Sequence, residues 1–209
     1  MNNGSGLRVV LWLSGCDHKC KGCQNPQTWD ANSGISFDEK AKEELFRELD
    51  KDYISGLTLT GGDPLHPSNL DGVLDIVTEF NKRYKTTQDI VLNREDNHNM
   101  LNENGNKIRL SLPQKTIWLY TGYRYEEIVN EHSKWLDSIT DETSICNLSE
   151  EDFILWQRYT IVKNVDVLVD GRYVDKLRDA TLKWKGSSNQ RVIDVQQTLK
   201  KGEIILWAT

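Results

Sequence analysis

From Leu7 to Cys23 the chain reads LRVVLWLSGCDHKCKGC, an apolar run followed directly by a loop with three cysteines. The run from Leu7 to Leu13 is nearly continuous in apolar residues, which is typical of a buried parallel strand. The loop places Cys16, Cys20 and Cys23 in the spacing C-x3-C-x2-C. Ligands of open α/β sheets usually bind beyond the carboxyl ends of the strands. We therefore expect three thiol ligands to gather at such an edge.

Three thiolates on one short loop suit an iron–sulfur cluster in which one iron lacks a protein ligand. The usual set is four cysteines. The fourth cysteine of this chain, Cys146, lies far from the loop in a polar stretch and is poorly placed to complete the set. An iron without a protein ligand can bind a substrate or cofactor directly, as an open catalytic metal site does.

Zinc is the main alternative that spacing alone leaves open. The three cysteines could form a Cys3His site with His18 or with a distant residue. Structural zinc motifs usually present two separated ligand pairs, however, and the chain has no second pair. A chance group of inert, buried cysteines is disfavoured by Lys19 and Lys21, which lie between them. The spacing therefore favours an iron–sulfur cluster over zinc.

Composition limits the classes of partner. The chain has 209 residues, of which 37% are hydrophobic and 28% charged, and its formal net charge is −6. This is typical of a folded globular protein, and its acidity argues against binding to nucleic acid. We see neither a signal peptide nor a membrane-spanning run, so we expect no membrane association. We expect the protein in the cytoplasm, where clustered cysteines more often bind metal than form disulfides.

Strand-like and helix-like segments alternate along most of the chain. The pattern predicts strands at 7–13, 56–60, 116–120 and 165–169, and a final strand at 203–207. Helical spacing of apolar residues predicts helices at about 36–49, 69–84 and 125–136, the first opened by a capping box between Ser36 and Glu39. Such alternation predicts an α/β fold with a mostly parallel sheet. Trp12 and Trp118 fall in strands and are expected in the core.

Two polar stretches interrupt the alternation, near residues 85–113 and 138–164. We interpret both as surface insertions. No internal repeat, low-complexity tract or linker divides the remainder of the chain. The sequence therefore predicts a single domain over residues 1–209.

Further segments accompany the cysteine loop in a fixed order. They are GSGLR at 4–8, TW at 28–29, GGDPLHP at 61–67, TGY at 121–123, VLVDG at 167–171 and WKGSSNQ at 184–190. With this ordered set the chain resembles the activating proteins of anaerobic (class III) ribonucleotide reductases, a family of the radical S-adenosylmethionine superfamily. The two polar stretches make the chain longer than the compact family form, and its N-terminal lead-in is shorter.

The resemblance implies a fold and a metal site. The fold would be a partial, open β/α barrel of the radical S-adenosylmethionine type. Cys16, Cys20 and Cys23 would ligate a [4Fe–4S] cluster, and its open iron would bind the amino and carboxylate groups of S-adenosylmethionine. Cys146 would not be a ligand.

The resemblance also implies where the cofactor binds. The segment from Gly61 to Asp63 matches the superfamily's glycine-rich element, in which backbone without a Cβ approaches the methionine amino group. Asp63 could hydrogen-bond that ammonium or cap the turn that follows. The expected cofactor-binding residues are Gly22, Cys23, Gln24, Gly61, Gly62 and Asp63. The family's tail motif includes Asn189, Gln190 and Arg191, to which we assign no role.

The activity that the resemblance implies is radical generation. An external one-electron donor such as a flavodoxin reduces the cluster, and S-adenosylmethionine is cleaved to a 5′-deoxyadenosyl radical. That radical takes a hydrogen atom from a glycine of the anaerobic ribonucleoside-triphosphate reductase, which keeps a glycyl radical. The cluster and the cofactor carry the chemistry, and no catalytic side chain is expected beyond them.

Two alternatives stay open. One is a different radical S-adenosylmethionine enzyme, either another glycyl-radical activase or an enzyme that modifies a small molecule. The other is a non-catalytic binding module for zinc or an iron–sulfur cluster.

Overall fold

Five strands pair side by side in sequence order in this computed structural model, which describes residues 3–85, 114–138 and 149–208. They are β1 (Arg8–Leu13), β2 (Gly56–Gly61), β3 (Thr116–Tyr120), β4 (Val167–Asp170) and β5 (Arg191–Asp194). β1 to β4 are parallel, and β5 runs antiparallel to β4. The predicted α/β class with a mostly parallel sheet is therefore confirmed. The described strands form an open sheet and close into no barrel.

Helices connect the parallel strands, since a parallel pair needs a long crossover. α1 (Glu39–Leu49) joins β1 to β2, and α2 (Leu70–Tyr84) joins β2 to β3. α3 (Tyr125–Ser138) and α4 (Glu150–Lys163) both lie between β3 and β4, and α5 (Val195–Lys201) follows β5. α1 to α4 share one hydrophobic core with the strands, so they cover the same face of the sheet.

The two faces of the sheet differ in what covers them. Alternate residues of a strand point to opposite faces. In β3, Ile117 and Leu119 lie in the core shared with the helices, whereas Trp118 and Tyr120 belong to a smaller cluster on the opposite face. The described residues of that smaller cluster lie in strands, apart from two tryptophans of the C-terminal part of the chain. None of them lies in a helix. One face is therefore packed by helices, and the other is not.

Arg8 ties three strands together on the face without helices. Its Nε donates to Thr58 Oγ1 at 2.8 Å, and one Nη donates to Thr116 Oγ1 at 2.9 Å. The guanidinium also lies 5.6 Å from the ring centroid of Trp118, a contact that stabilises a cation. Burial lowers the pKa of Arg8 to about 10, so the side chain is still charged at neutral pH. These bonds fix the amino ends of β1, β2 and β3, opposite the edge where ligands are expected.

The first helix begins later than its pattern predicts. α1 starts at Glu39, and the carboxylate of Asp38 accepts a hydrogen bond from Ala41 N at 2.9 Å. Asp38 is therefore the capping residue, and the predicted capping box between Ser36 and Glu39 is wrong. A carboxylate at this position satisfies a free N–H group of the first turn and faces the positive end of the helix dipole.

The interpretation of 138–164 as a surface insertion is wrong for residues 150–163, which form α4. A capping box between Ser149 and Asp152 starts this helix. Its buried face combines Ile161 and Val162 with the polar Gln157, whose amide donates to Asp71 of α2 at 2.6 Å. A buried glutamine breaks the apolar periodicity that reveals a helix in sequence, which explains the wrong interpretation.

Residues 86–113 and 139–148, which include most of the first polar stretch and Cys146, lie outside the described residues. The final strand predicted at 203–207 is reduced to an isolated bridge between Leu206 and Ile193. Trp118 is fully buried as predicted, but the prediction for Trp12 is wrong, because this side chain is 52% exposed. No helix within the described ranges is both long enough and apolar enough to cross a membrane.

Ile161→Ala tests whether α4 belongs to the core. The side chain is fully buried, so the truncation removes apolar contacts and leaves a cavity. We expect the free energy of unfolding, measured by urea denaturation, to fall by about 2–4 kcal/mol. Ile35→Ala is the matched control, because Ile35 is 100% exposed; its effect should stay below about 0.5 kcal/mol. Equal effects of the two substitutions would contradict a core position for α4.

Candidate functional site

The carboxyl ends of the parallel strands open onto one cavity of about 300 Å³. Its lining comes from the cysteine loop after β1, the glycine turn after β2, Thr121 and Gly122 after β3, and Gly171 after β4. Gln190, which immediately precedes β5, also lines the cavity. It reaches this edge because β5 is antiparallel to β4 and therefore begins where β4 ends. Motifs that are far apart in the sequence therefore meet at the edge where α/β sheets bind ligands.

All three cysteines of the loop line this cavity. Cys16, Cys20 and Cys23 are free thiols, each partly buried. Within the described ranges, no group of three or more His, Cys, Asp or Glu side chains is arranged to hold a single metal ion. The three thiols nevertheless line one cavity, and in a cubane cluster each thiolate binds a different iron.

The surroundings of the thiols bear on how they would bind a metal. Burial raises the pKa of the Cys16 and Cys20 thiols above their ordinary value, while backbone N–H groups directed at both sulfurs act in the opposite direction. At Cys23, the backbone N–H of Asn25 donates to Sγ at 3.4 Å. N–H groups that point at thiolate sulfurs are one of the means by which proteins tune iron–sulfur clusters. The donor set and its surroundings therefore fit such a cluster.

Gly62 allows β2 to approach the base of the cysteine loop. A Cβ at this position would lie 2.5 Å from the carbonyl oxygen of Gly15 and 3.0 Å from that of Thr28. Two backbone hydrogen bonds cross the contact, from Gly62 N to Leu13 O at 2.7 Å and from Asp63 N to Gly15 O at 2.8 Å. The glycine is therefore required for packing of the loop itself, a reason that sequence reasoning missed.

The carboxylate of Asp63 braces the cysteine loop against the sheet. Asp63 is 2% exposed. Its oxygens accept hydrogen bonds from His18 Nε2 at 2.8 Å, Thr121 Oγ1 at 2.9 Å, Gly122 N at 3.0 Å and Leu65 N at 2.8 Å. The bond from Leu65 N is the cap of the following turn that the sequence allowed. Donors of the protein thus engage both oxygens, and the expected bond from Asp63 to a cofactor ammonium stays a prediction.

Gln190 closes the cavity from the side of β5. Its Oε1 accepts from Gly186 N at 2.9 Å, and its Nε2 donates to the carbonyl of Gly171 at 2.9 Å. Asn189 lies outside the lining and donates to the backbone carbonyl of Arg172 at 2.9 Å. Both amides therefore shape the loops at this end of the sheet, which gives the tail motif a structural role.

Arg191, the third residue of that motif, joins β5 to β4 and α3. Its Nε donates to Asp170 Oδ1 at 3.0 Å, and its two Nη atoms each donate to an oxygen of Glu126 at 2.7 Å. The Arg191 guanidinium lowers the pKa of the Glu126 carboxyl to about 2. This paired arrangement lies behind the cavity, because neither Arg191 nor Glu126 contributes to its lining.

The predicted site residues divide into two groups. Cys23, Gln24, Gly61, Gly62 and Asp63 line the cavity together with the other two cysteines. Gly22 does not, because it lies against Asp175 beside the cavity. Sequence reasoning considered His18 only as an alternative zinc ligand and missed its bond to Asp63. It also missed Thr121 and Gly122 as lining residues, for which the TGY motif was the available signal.

Sequence comparison identifies relatives of this chain among known proteins. A protein-family model described as a 4Fe-4S single cluster domain matches residues 2–105 and 92–193. An anaerobic ribonucleoside-triphosphate reductase-activating protein of Enterobacteria phage T4 is 34% identical over 190 residues, which are 91% of this chain and 85% of that protein. Proteins of the same name from Escherichia coli (strain K12) and Haemophilus influenzae are 32% and 30% identical over 91% and 90% of this chain, and over 90% and 88% of their own. No solved structure matches the chain.

Gly62→Ala tests the contact between the glycine turn and the cysteine loop. The added Cβ meets backbone atoms on both sides, so the loop has to move away from β2. We expect the free energy of unfolding of the metal-free protein to fall by about 1–3 kcal/mol. We also expect the iron content after anaerobic reconstitution to fall, because displaced thiols hold a cluster less well.

Gly72→Ala is the matched control. Nothing lies within 4 Å of a Cβ at this position of α2. Alanine is the better helix former, so stability should rise by about 0.5–1 kcal/mol and the iron content should not change. A Gly62→Ala protein with wild-type stability and iron content would refute the packing role of Gly62.

Proposed function

The chain belongs to the family of anaerobic ribonucleoside-triphosphate reductase-activating proteins, and we propose that it activates such a reductase by generating a glycyl radical on it. In this proposal the protein is an oxidoreductase of the radical S-adenosylmethionine superfamily. It binds a [4Fe–4S] cluster and S-adenosylmethionine, and its partner is the glycyl radical subunit of the reductase. Residues 1–209 act as one domain.

The observation that carries the proposal is the common cavity of the cysteine loop and the glycine turn. Three thiols and the backbone of Gly61 and Gly62 line it. Gly61 has φ +103, so its backbone adopts a conformation that a side chain would disfavour. Soft thiolate ligands beside an accessible backbone suit a site that binds a cluster and a second cofactor in contact with it.

Each group of residues has a part in this proposal. Cys16, Cys20 and Cys23 hold the cluster and leave one iron for the cofactor. When bound, the cluster and the cofactor would supply the radical chemistry, namely one-electron cleavage of S-adenosylmethionine and removal of a hydrogen atom from a glycine of the reductase. The residues proposed to bind and orient the cofactor are Gly22, Cys23, Gln24, Gly61, Gly62 and Asp63.

We further propose that the open sheet is a partial barrel of the radical S-adenosylmethionine type. Its helices cover one face, and the face of Trp118 and Tyr120 carries no described helix. The proposed substrate is a loop of another protein, which needs an open side to reach the cavity. A helix on that second face would block its entry.

The electron for this chemistry comes from outside the chain. The proposed donor is a one-electron carrier such as a flavodoxin. The proposed compartment is the cytoplasm, since reducing conditions keep the three ligand cysteines free of disulfides.

Replacing one cluster ligand at a time tests the metal site. Cys16→Ala, Cys20→Ala and Cys23→Ala should each abolish cluster assembly and cleavage of S-adenosylmethionine, because two thiols do not hold a cubane cluster. The anaerobically reconstituted wild type should contain about four irons per chain by metal analysis. Cys146→Ser is the control and should leave iron content and cofactor cleavage largely intact.

Two results would count against this site. Loss of the cluster in Cys146→Ser would mean that all four irons have protein ligands. One zinc per chain without visible charge-transfer absorbance would make the protein a binding module without catalysis.

The proposed activity itself is tested with the candidate substrate. The reduced protein is mixed with S-adenosylmethionine and the anaerobic reductase, and an electron paramagnetic resonance spectrum is recorded. We expect a glycine-centred doublet that is absent when S-adenosylmethionine is omitted. Cofactor cleavage without that doublet would assign the chain to a different radical S-adenosylmethionine reaction.

A further inference from the structure

Six exposed cations lie beside the cysteine loop, and we call them the basic rim. Two belong to the loop itself and four to the segment that follows β4: Lys19, Lys21, Arg172, Lys176, Arg178 and Lys183. None of the six forms an ion pair with a residue of the described ranges. Their charges are therefore available to a partner.

The two parts of the basic rim meet next to the candidate cluster site. Gly22 at the tip of the loop lies against Asp175, since a Cβ there would be 2.7 Å from the carboxylate. A cavity of about 590 Å³, lined in part by Arg178 and Lys183, adjoins the cavity of the cysteines and shares Gln24 and Lys185 with it. The segments that carry the six cations therefore meet beside the cavity that the thiols line.

The basic rim contrasts with the remainder of the chain. Residues 14–24 and 171–190 contain seven Lys or Arg and three Asp, a local net charge of +4 in a chain whose formal net charge is −6. The three aspartates are engaged by neighbours. Asp17 pairs with His66 at 3.3 Å, and Asp175 and Asp179 accept hydrogen bonds from Tyr173 and Thr181. A carboxylate keeps its charge when it accepts such a bond, so all three are already subtracted in the local net charge of +4.

Two apolar side chains lie among these cations. Val174 is 37% exposed and Leu177 is 43% exposed. A small apolar centre surrounded by charge is typical of the polar, short-lived interfaces of electron-transfer partners, which bury less surface than stable complexes do. A stable partner would require a larger apolar area than these two residues provide.

We propose that the basic rim is the docking surface for an acidic one-electron donor protein of the flavodoxin kind. The inference rests on the proposed function, which requires an external electron at the cysteine loop. Opposite charges speed the encounter of two proteins without making the complex long-lived. In the docked pair the reduced flavin of the donor gives up one electron and the cluster is reduced by one, with no bond formed or broken.

The test reverses two charges of the rim in the reconstituted protein. In Arg178→Glu/Lys183→Glu, binding of oxidised flavodoxin, measured by titration calorimetry at about 0.02 M salt, should weaken at least about tenfold. The difference from wild type should shrink at about 0.5 M salt, because salt screens exposed charges. Reduction by reduced flavodoxin should slow by a similar factor. Dithionite, a small reductant that needs no docking surface, should reduce both proteins at the same rate.

Two further variants serve as controls. Lys40→Glu/Lys134→Glu makes the same change in net charge on α1 and α3, and should alter flavodoxin binding less than about twofold. Arg178→Gln/Lys183→Gln removes the two charges without reversing them and should show an intermediate loss. Wild-type flavodoxin binding by the rim variants would overturn the proposal, as would an equal loss in the Lys40 and Lys134 variant. Loss of reductase binding alone would assign the rim to the reductase instead.

The proposed function fails separately from this inference. Cleavage of S-adenosylmethionine by dithionite-reduced wild type tests the function without any donor protein. No cleavage, together with charge-dependent flavodoxin binding, would refute the activase and keep the docking surface. Normal cleavage of S-adenosylmethionine, together with flavodoxin binding that does not depend on the rim charges, would keep the activase and refute the docking surface.

Discussion

The buried carboxylate of Asp63 is the contact on which the geometry of the site depends. A carboxylate removed from water is costly unless donors satisfy it. Here the donors come from the cysteine loop through His18, from the turn after β2 and from the end of β3 through Thr121 and Gly122. The need to satisfy one carboxylate therefore fixes three chain segments relative to one another, and with them the position of the cysteines.

Glycines make that approach possible. A Cβ at Gly62 would meet the backbone of the cysteine loop, and a Cβ at Gly122 would lie 2.2 Å from the ring of His18. Glycine is thus required at these two positions for packing of the chain, independently of any cofactor. The same lack of side chains leaves backbone accessible in the cavity, so the packing of the loop and the accessibility of the site follow from the same residues.

The sequence predicts the parts of the fold whose signal is local. Four strands could be predicted because they are short apolar segments, and three helices because their apolar residues repeat at a period of 3.6. The metal ligands could be proposed because three cysteines occur on one loop. α4 could not be predicted, because its buried Gln157 is satisfied by Asp71 of another helix. The role of His18 could not be predicted either, since its partner Asp63 is 45 positions away. Such contacts between distant residues depend on the order of the strands in the sheet. The periodicity of apolar residues gives no information about that order.

Burial of the thiols affects both the packing of the cysteine loop and its capacity to bind a metal cluster. Because burial raises the pKa of the Cys16 and Cys20 thiols, both are neutral at physiological pH when no metal is bound. Neutral thiols do not repel one another, which favours packing of the loop against β2 and β3. A cluster requires thiolates, and its binding must then expel these protons. The backbone N–H groups directed at the sulfurs stabilise thiolates and so offset part of that cost.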